Sequence, residues 1–449
     1  MQSFELDKTD ILKVKQALEG GDQDLLLLLA DYHASEIAIL FESISLESQK
    51  KIINLLPIDL ASEIISEMSH EAHPEELLID LEPEKRQEIV EELDYDDATD
   101  IISQMDEQDQ HDILQELDKE DAVNIRNLMT YAEDTAGGLM NTEVIKVDAD
   151  MSKKQAIDQI ILQSEEIEEF YTIYVVDHDD ILKGIVSLKD IIKAKANAKI
   201  ADIVNTEFVF VKTSTDQEEV ADLISQYNLT SIPVVDLNMK LLGRVTFDDV
   251  IDVMQEENTE DILKFSGVSE DEELSGNWIE AVKSRLPWLI LNLGTAFLAS
   301  SVIRYFEPTV TKIVVLAGYM TIIAGMGGNA ATQALAVTVR RITLSDLTDN
   351  QAYKTVLKEL TVGLINGAVN GLIVFLFAYF YDDNLLLGLV IFIAMTGNLL
   401  IAGITGAGIP LILKRVGIDP AVASSIIITT FTDVFGFLLL LGLASKLLL

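Results

Sequence analysis

The chain has 449 residues and not one cysteine. That excludes disulfides, thiolate-bound zinc, iron–sulfur clusters and a cysteine nucleophile. Basic residues are scarce: 32 Lys and Arg stand against 75 Asp and Glu, a formal net charge of −43. So acidic a chain repels phosphate, which argues against nucleic-acid binding. Histidine occurs five times, and no Walker loop, Gly-x-Ser-x-Gly or His-Glu-x-x-His is present, which argues against an enzyme. The first 25 residues hold Glu5, Asp7, Asp10 and Glu19 and no apolar run after a basic start. They do not read as a secretory leader, so the N-terminal half is expected to stay in the cytoplasm.

Such a charge does not fit evenly with a mean hydropathy of +0.27. The two properties separate along the chain. Residues 286–449 hold nine Lys/Arg and eight Asp/Glu, whereas residues 1–285 hold 23 and 67. An acidic half is therefore joined to a nearly uncharged apolar half. Five apolar stretches follow Arg285, near Leu286–Phe306, Ile313–Val339, Leu360–Tyr381, Leu385–Leu413 and Val422–Leu443. Each is long enough to cross a hydrocarbon core, which needs roughly 20 residues.

Basic residues near the span ends set the expected orientation. Lys283, Arg285, Arg340, Arg341, Lys354, Lys358, Lys414 and Arg415 fall on one side, and Arg304, Lys312 and Lys446 on the other. The bias places the N-terminal half inside and the C-terminus outside. The spans are not plain anchors, because they carry glycines and the polar residues Asn329, Asn366, Asn370 and Asn398. Most of the glycines read as close helix contacts, while the asparagines fit cross-helix hydrogen bonds or a wet path equally well. Asp433 is the sharpest residue. It stands 14 residues beyond Asp419 and 13 before Lys446, near mid-span, with no Lys, Arg or His at comparable depth. An ionised carboxylate there needs water, a cation or a partner. A pathway rich in acceptors and without a central base suits cations. The bland alternative is a protonated, hydrogen-bonded structural Asp.

Residues 1–130 read as a helical array, with no glycine between Asp22 and Thr130. A short unit recurs about every 12 residues, as in Glu63-Ile64-Ile65, Glu88-Ile89-Val90, Asp100-Ile101-Ile102 and Asp112-Ile113-Leu114. Stacked short helices with polar turns are expected. Residues 131–257 change character. Tyr171–Asp177 followed by Leu182–Ile191 is echoed by Thr230–Asp236 followed by Leu242–Val250. Each copy reads strand, acidic turn, strand with a Gly, then a capped helix. This duplication resembles a tandem CBS-domain pair. The resemblance makes Ser187, Asp190, Thr246 and Asp249 candidates for binding an adenosine nucleotide such as ATP; as an alternative they are only helix caps.

Taken in order, Asp134-Thr135-Ala136-Gly137-Gly138-Leu139-Met140, Pro233-Val234-Val235-Asp236, Gly325-Met326-Gly327-Gly328-Asn329 with Thr332-Gln333, Asp419-Pro420-Ala421 and Thr432-Asp433 resemble the MgtE family of magnesium channels over essentially the whole chain. The resemblance implies a multidomain α and α+β fold. It comprises a helical-repeat N domain (1–130), a CBS pair (131–257), a connecting plug helix (258–285) with Trp278, Ile279 and Val282 on an apolar face, and a five-helix transmembrane domain (286–449). It further implies a homodimer in the bacterial inner membrane. There the residue matching Asp433 would hold hydrated Mg²⁺, with Thr429, Ser425 and Asn329 as further oxygen donors.

The resemblance also supplies a mechanism for the acidic half. Two carboxylates about 4 Å apart repel by about 4 kcal/mol at an effective dielectric near 20, so acidic faces separate unless divalent cations bridge them. Cytosolic Mg²⁺ is thus expected to compact the dimer and close the pore. The matched carboxylates are Asp216 and Glu218, then Asp249, Asp252, Glu257, Glu260 and Asp261, with Asp419 at the loop before the last span. Glu63, Asp96 and Asp100 are N-domain candidates. Asn228 stands where the family has an acidic residue. A solvated helix face is the bland reading of this stripe. A secondary transporter for another divalent ion, Mn²⁺ or Co²⁺, is the alternative function, and a membrane-anchored sensor without transport is a second.

Overall fold

The computed structural model describes residues 8–69, 72–164, 167, 170–269, 278–343, 349–422 and 425–449. Contacts divide the chain into two compact units, Met1–Glu257 and Asn258–Leu449.

Among the described residues the first unit opens with ten short helices, from Lys8–Glu19 to Lys119–Leu128. Their origin is visible in the repeat. One adjacent apolar pair per unit is buried: Ile52-Ile53, Ile64-Ile65, Leu77-Leu78, Ile89-Val90, Ile101-Ile102 and Ile113-Leu114. Polar turns stop each helix before it can lengthen. Pro74 and Pro83 sit in the first turn of their helices, where a missing N–H costs nothing. Asp106 accepts from the backbone N–H groups of Gln108 and Asp109 and so starts another. Along most of the array each helix packs on the next but one, and the pairs merge into one continuous core.

Two three-stranded sheets follow. The first is β1 (Lys146–Asp148), β2 (Thr172–Val176) and β3 (Leu182–Ser187); the second is β4 (Val211–Lys212), β5 (Ser231–Val235) and β6 (Leu241–Thr246). In each the central strand pairs parallel with the first and antiparallel with the last, with Val175 opposite Gly184 and Val234 opposite Gly243. Both registers slip at the same place, Val175/Val176 and Val234/Val235. The duplication read from the sequence therefore extends to a shared irregularity. Tyr174, Val176 and Leu182 of one repeat close a core with Val235 and Leu241 of the other.

The Asp134–Met140 motif joins the helical array to the second repeat. Ala136 N–H donates to Thr215 O and Gly137 N–H to Thr213 O, at 2.7 and 3.0 Å. A Cβ on Gly138 would lie 2.5 Å from Ala132 O and 2.8 Å from Glu133 Cα, both backbone atoms that cannot swing aside. Gly138→Ala should therefore destabilise this unit by about 2 kcal/mol, as overpacked cores do. Thermal unfolding of the full chain, read at the first unit's transition, checks it. An unchanged midpoint would show that the junction yields.

The second repeat runs into a long helix, Phe247–Ser266. Gly267 ends it at φ +73°, and Val268 N–H returns to Leu263 O at 3.0 Å.

Among the described residues of the second unit, five helices are long and apolar enough to cross a membrane. They are Trp278–Tyr305, Leu316–Thr343, Asp349–Tyr381, Leu385–Arg415 and Ser425–Leu447, termed the first to fifth spans. A short helix, Glu307–Lys312, lies between the first two; the polar sequence there gave no helical expectation. Trp278, Ile279 and Val282, assigned from the sequence to a separate plug helix, lie in the first span's helix and are exposed. Residues 270–277 of that expected plug helix lie outside the described residues. The third and fourth spans touch along Gly363, Gly367 and Gly371, where an added Cβ would lie 2.4 Å from Leu399 O, 2.8 Å from Thr396 Cα and 3.0 Å from Phe392 O. These glycines allow backbone-to-backbone packing, the plain role expected for most of them.

Candidate functional site

Asp433 lies in the interior of the fifth span and is half-buried. Its helix neighbours do not serve it. Thr429 and Thr430 donate back to Ile426 O at 3.2 and 2.7 Å, and Thr432 donates to Thr429 O at 2.9 Å. Phe431 and Phe435, two residues to either side, are partly exposed with parallel rings. Among the described residues no side-chain donor or base meets the Asp433 carboxylate. An acceptor group with apolar flanks and no internal partner is thereby left to meet something from outside the chain.

The other pore candidates differ from it. Asn329 is exposed on the second span, and Thr429 is half-buried with its hydroxyl spent on its own helix. Ser425 is the first residue of the fifth span, and its side chain lies outside the described residues. Asn366 is exposed, and its carbonyl accepts from Asn370 at 2.9 Å. Asn398 is fully buried, so in a single chain it lines no open path.

In the first unit the carboxylates gather. Asp96 and Asp97 open the helix Tyr95–Ser103. Asp96 keeps part of its surface exposed, yet its Oδ1 is closed off from solvent and meets no donor. Burial first, and then the charges of Asp97, Asp249, Asp94 and Asp100, push the Asp96 carboxyl well above the usual carboxylate range. Burial and the charges of Asp94, Asp249, Asp100 and Glu67 do the same to Asp97. Asp249 is also raised by burial, against the lowering effect of Thr246, whose hydroxyl and N–H both donate to its Oδ2. Asp248 and Asp252 raise it further. The helical array thus brings Asp96, Asp97 and Asp100 to Asp249, about 150 residues away in sequence. Sequence reasoning named three of these four and missed Asp97. The run Asp94-Tyr95-Asp96-Asp97 read as a turn, and nothing in it pointed to Asp249.

The remaining acidic candidates divide. Asp216 caps a helix by accepting from Glu218 N–H at 2.9 Å, and Thr135 bridges to it. Glu257 accepts from Gln217. Asp252, Glu218 and Asp261 each have partners of their own, and the Glu63 carbonyl accepts from Ser66. Asn228, at the position of a family carboxylate, holds a left-handed helix end at φ 50°, which Asn tolerates well. In the second unit Lys264 lies between Glu260 and Asp419, 3.2 Å from Asp419 Oδ2. Beside it Phe265 packs against a cluster containing Ala331, Leu335 and Ile428. The end of the long helix is so tied to the turn before the fifth span. Ser187 and Thr246 each bond the carboxylate three residues on, Asp190 and Asp249, as helix caps do.

Comparison with known proteins agrees with this layout. A family described as a divalent cation transporter matches residues 320–443, the MgtE intracellular N domain matches 32–134, and CBS domains match 136–197 and 200–256. The chain is 38% identical to the magnesium transporter MgtE of Enterococcus faecalis over 72% of its own length and 71% of that protein's. It is 33% identical to the Thermus thermophilus magnesium transporter MgtE over 97% of its length and 98% of that protein's. Among solved structures, the cytosolic domain of the Mg²⁺ channel MgtE in complex with ATP is 35% identical, with a TM-score of 0.52, over 54% of this chain and 99% of that one. The soluble part of a magnesium transporter is 28% identical, with a TM-score of 0.51, over 56% and 98%.

Proposed function

The chain belongs to the MgtE family of magnesium transporters, and from that premise we propose that it is a Mg²⁺-conducting pore of the bacterial inner membrane, closed by cytosolic Mg²⁺. The observation that carries the reading is the Asp433 carboxylate, held in mid-span without a partner among the described residues. A single chain offers one such group. Two copies facing each other would present two, with Asn329, Thr429 and Ser425 as further oxygen donors. Few carboxylates and many retained waters suit Mg²⁺, which sheds its shell reluctantly. The basic span ends orient the acidic half to the cytoplasm and the C-terminus outside.

Closure follows from the acidic cluster. Asp96, Asp97 and Asp249 repel when ionised, and a divalent cation turns the repulsion into a bridge. Asp100, Asp216, Glu218, Asp252, Glu257, Asp261 and Glu63 extend the acidic surface on which cytosolic ions act. Ions that bind the compact state more tightly than the open one shift the population toward closed. Lys264 carries that change onward, because its ammonium links Glu260 and Asp419. The CBS pair adds a nucleotide site in this reading. Arg244 is buried with its Nε unpartnered, a cation suited to an anionic ligand such as ATP; Ser187, Asp190, Thr246 and Asp249 stand at the two helix starts.

Reconstituted vesicles test the proposal. Mg²⁺ flux should follow membrane potential, be independent of a proton or sodium gradient, and fall at least tenfold when Mg²⁺ is raised on the side of the N-terminal half. Flux that stops when the proton or sodium gradient is collapsed would favour a secondary transporter of Mn²⁺ or Co²⁺ type instead.

A further inference from the structure

The second, fourth and fifth spans cross at one amide. Asn398 has no exposed surface, its Nδ2 donates to Ile323 O at 3.0 Å, and its Oδ1 is closed off from solvent without a donor. Two glycines make room for it. A Cβ on Gly327 would lie 2.3 Å from Asn398 Nδ2, and one on Gly436 would lie 2.8 Å from it. The Gly327 Cβ would also lie 3.1 Å from Thr432 Cβ. Thr432 is fully buried. Thr432 and Gly436 bracket Asp433 on the fifth span, so the amide is wedged behind the helix at the height of the central carboxylate.

A leucine would fill a like space with no polar atom to satisfy. Asn leaves a buried acceptor unpaired, which is unfavourable, and yet it occupies the crossing. Successive helix residues turn by about 100°, so Asp433 lies about 100° round from Thr432 and about 60° from Gly436, to one side of the glycine that abuts Asn398. The amide, with no exposed surface, acts on the ion only through the carboxylate. We propose that Asn398 is a positioning residue: pinned between Gly327 and Gly436, it sets the height and rotation of Asp433, and with them the gap that a hydrated divalent cation must fit. This rests on the reading of Asp433 given above. Because Mg²⁺ keeps its waters where larger ions part with theirs more readily, a changed gap alters the ranking of ions as well as the rate.

The test uses the full chain in vesicles, with Mg²⁺, Mn²⁺ and Ca²⁺ as probes. Asn398→Leu should lower Mg²⁺ flux at least tenfold and lower the Mg²⁺ to Ca²⁺ flux ratio at least threefold. The cytosolic Mg²⁺ concentration for closure should stay within twofold of native. Gly436→Ala, which crowds the same amide, should move the ion ranking in the same direction and carries the test if Asn398→Leu fails to fold. Unchanged ranking in a folded variant overturns the proposal and leaves Asn398 a packing residue. Asp433→Asn measured alongside separates the two readings. If it conducts like native, the pore assignment itself fails; if it is inactive while the Asn398 and Gly436 variants keep the native ranking, only the positioning role fails.

Discussion

Asp433→Asn is expected to reduce Mg²⁺ flux about a hundredfold while leaving the folded protein as stable as native or more so. The two halves of that result have one cause. A charged side chain at the centre of a spanning helix costs about 3 kcal/mol on insertion scales. Among the described residues nothing repays this cost, since Thr429, Thr430 and Thr432 bond backward and no base meets Asp433. The ion must supply a comparable amount. Losing about 3 kcal/mol at roughly 1.4 kcal/mol per decade is about two decades of rate. The same substitution removes a poorly solvated charge from the empty protein, so its melting temperature should hold or rise. Asp433→Glu keeps the charge and displaces it by one methylene; partial flux with an altered ion ranking is expected. The measurement is vesicle flux beside thermal unfolding in detergent. Loss of both flux and stability would instead make Asp433 a structural group, and undiminished flux would move the permeation path elsewhere.

The architecture was legible wherever burial leaves a period. Five spans announced themselves by length and apolarity, and all five are there. Their ends were less legible. The third span's helix begins at Asp349, eleven residues before its apolar stretch, because Lys354, Lys358 and Glu359 continue the helix beyond what hydropathy can mark. The 12-residue array was readable from its apolar pairs, since each short helix can bury only one inward edge. The duplicated repeats were readable down to matching strands. Tertiary electrostatics left no such trace. That Asp97 faces Asp249 depends on how the array folds back on the second repeat, and no spacing in the chain records it. Asn398 read as ambiguous because its role depends on Gly327 and Gly436, on two other helices. Lys264 drew no reading from the sequence, because its partner Asp419 lies 155 residues on.

The acidic cluster makes a second large prediction, in which protons and divalent cations act alike. Asp96, Asp97 and Asp249 have raised folded-state values, chiefly through burial. Raised carboxyls stabilise the folded contact when protonated. That contribution is complete below the ordinary carboxylate range and is lost as pH rises through the raised values. Without divalent cations, the first unit should therefore melt at progressively lower temperature as pH climbs toward neutrality. Added Mg²⁺ should restore the loss, so the gain in melting temperature grows with pH, and Mg²⁺ binding should release protons into weak buffer. The paired substitution Asp96→Asn with Asp97→Asn removes both responses at once. The variant should be more stable than native at pH 7 without Mg²⁺, because the repulsion is gone, and nearly indifferent to added Mg²⁺. Its flux at low and high cytosolic Mg²⁺ should converge to within about twofold, where the native protein differs at least tenfold. A melting temperature that rises with pH in the absence of divalent cations would reverse the sign required by buried, mutually repelling carboxyls. A native-sized Mg²⁺ response in the paired variant would place the sensor on the other carboxylates of the surface, with Asp216, Glu218 and Glu257 the next to neutralise.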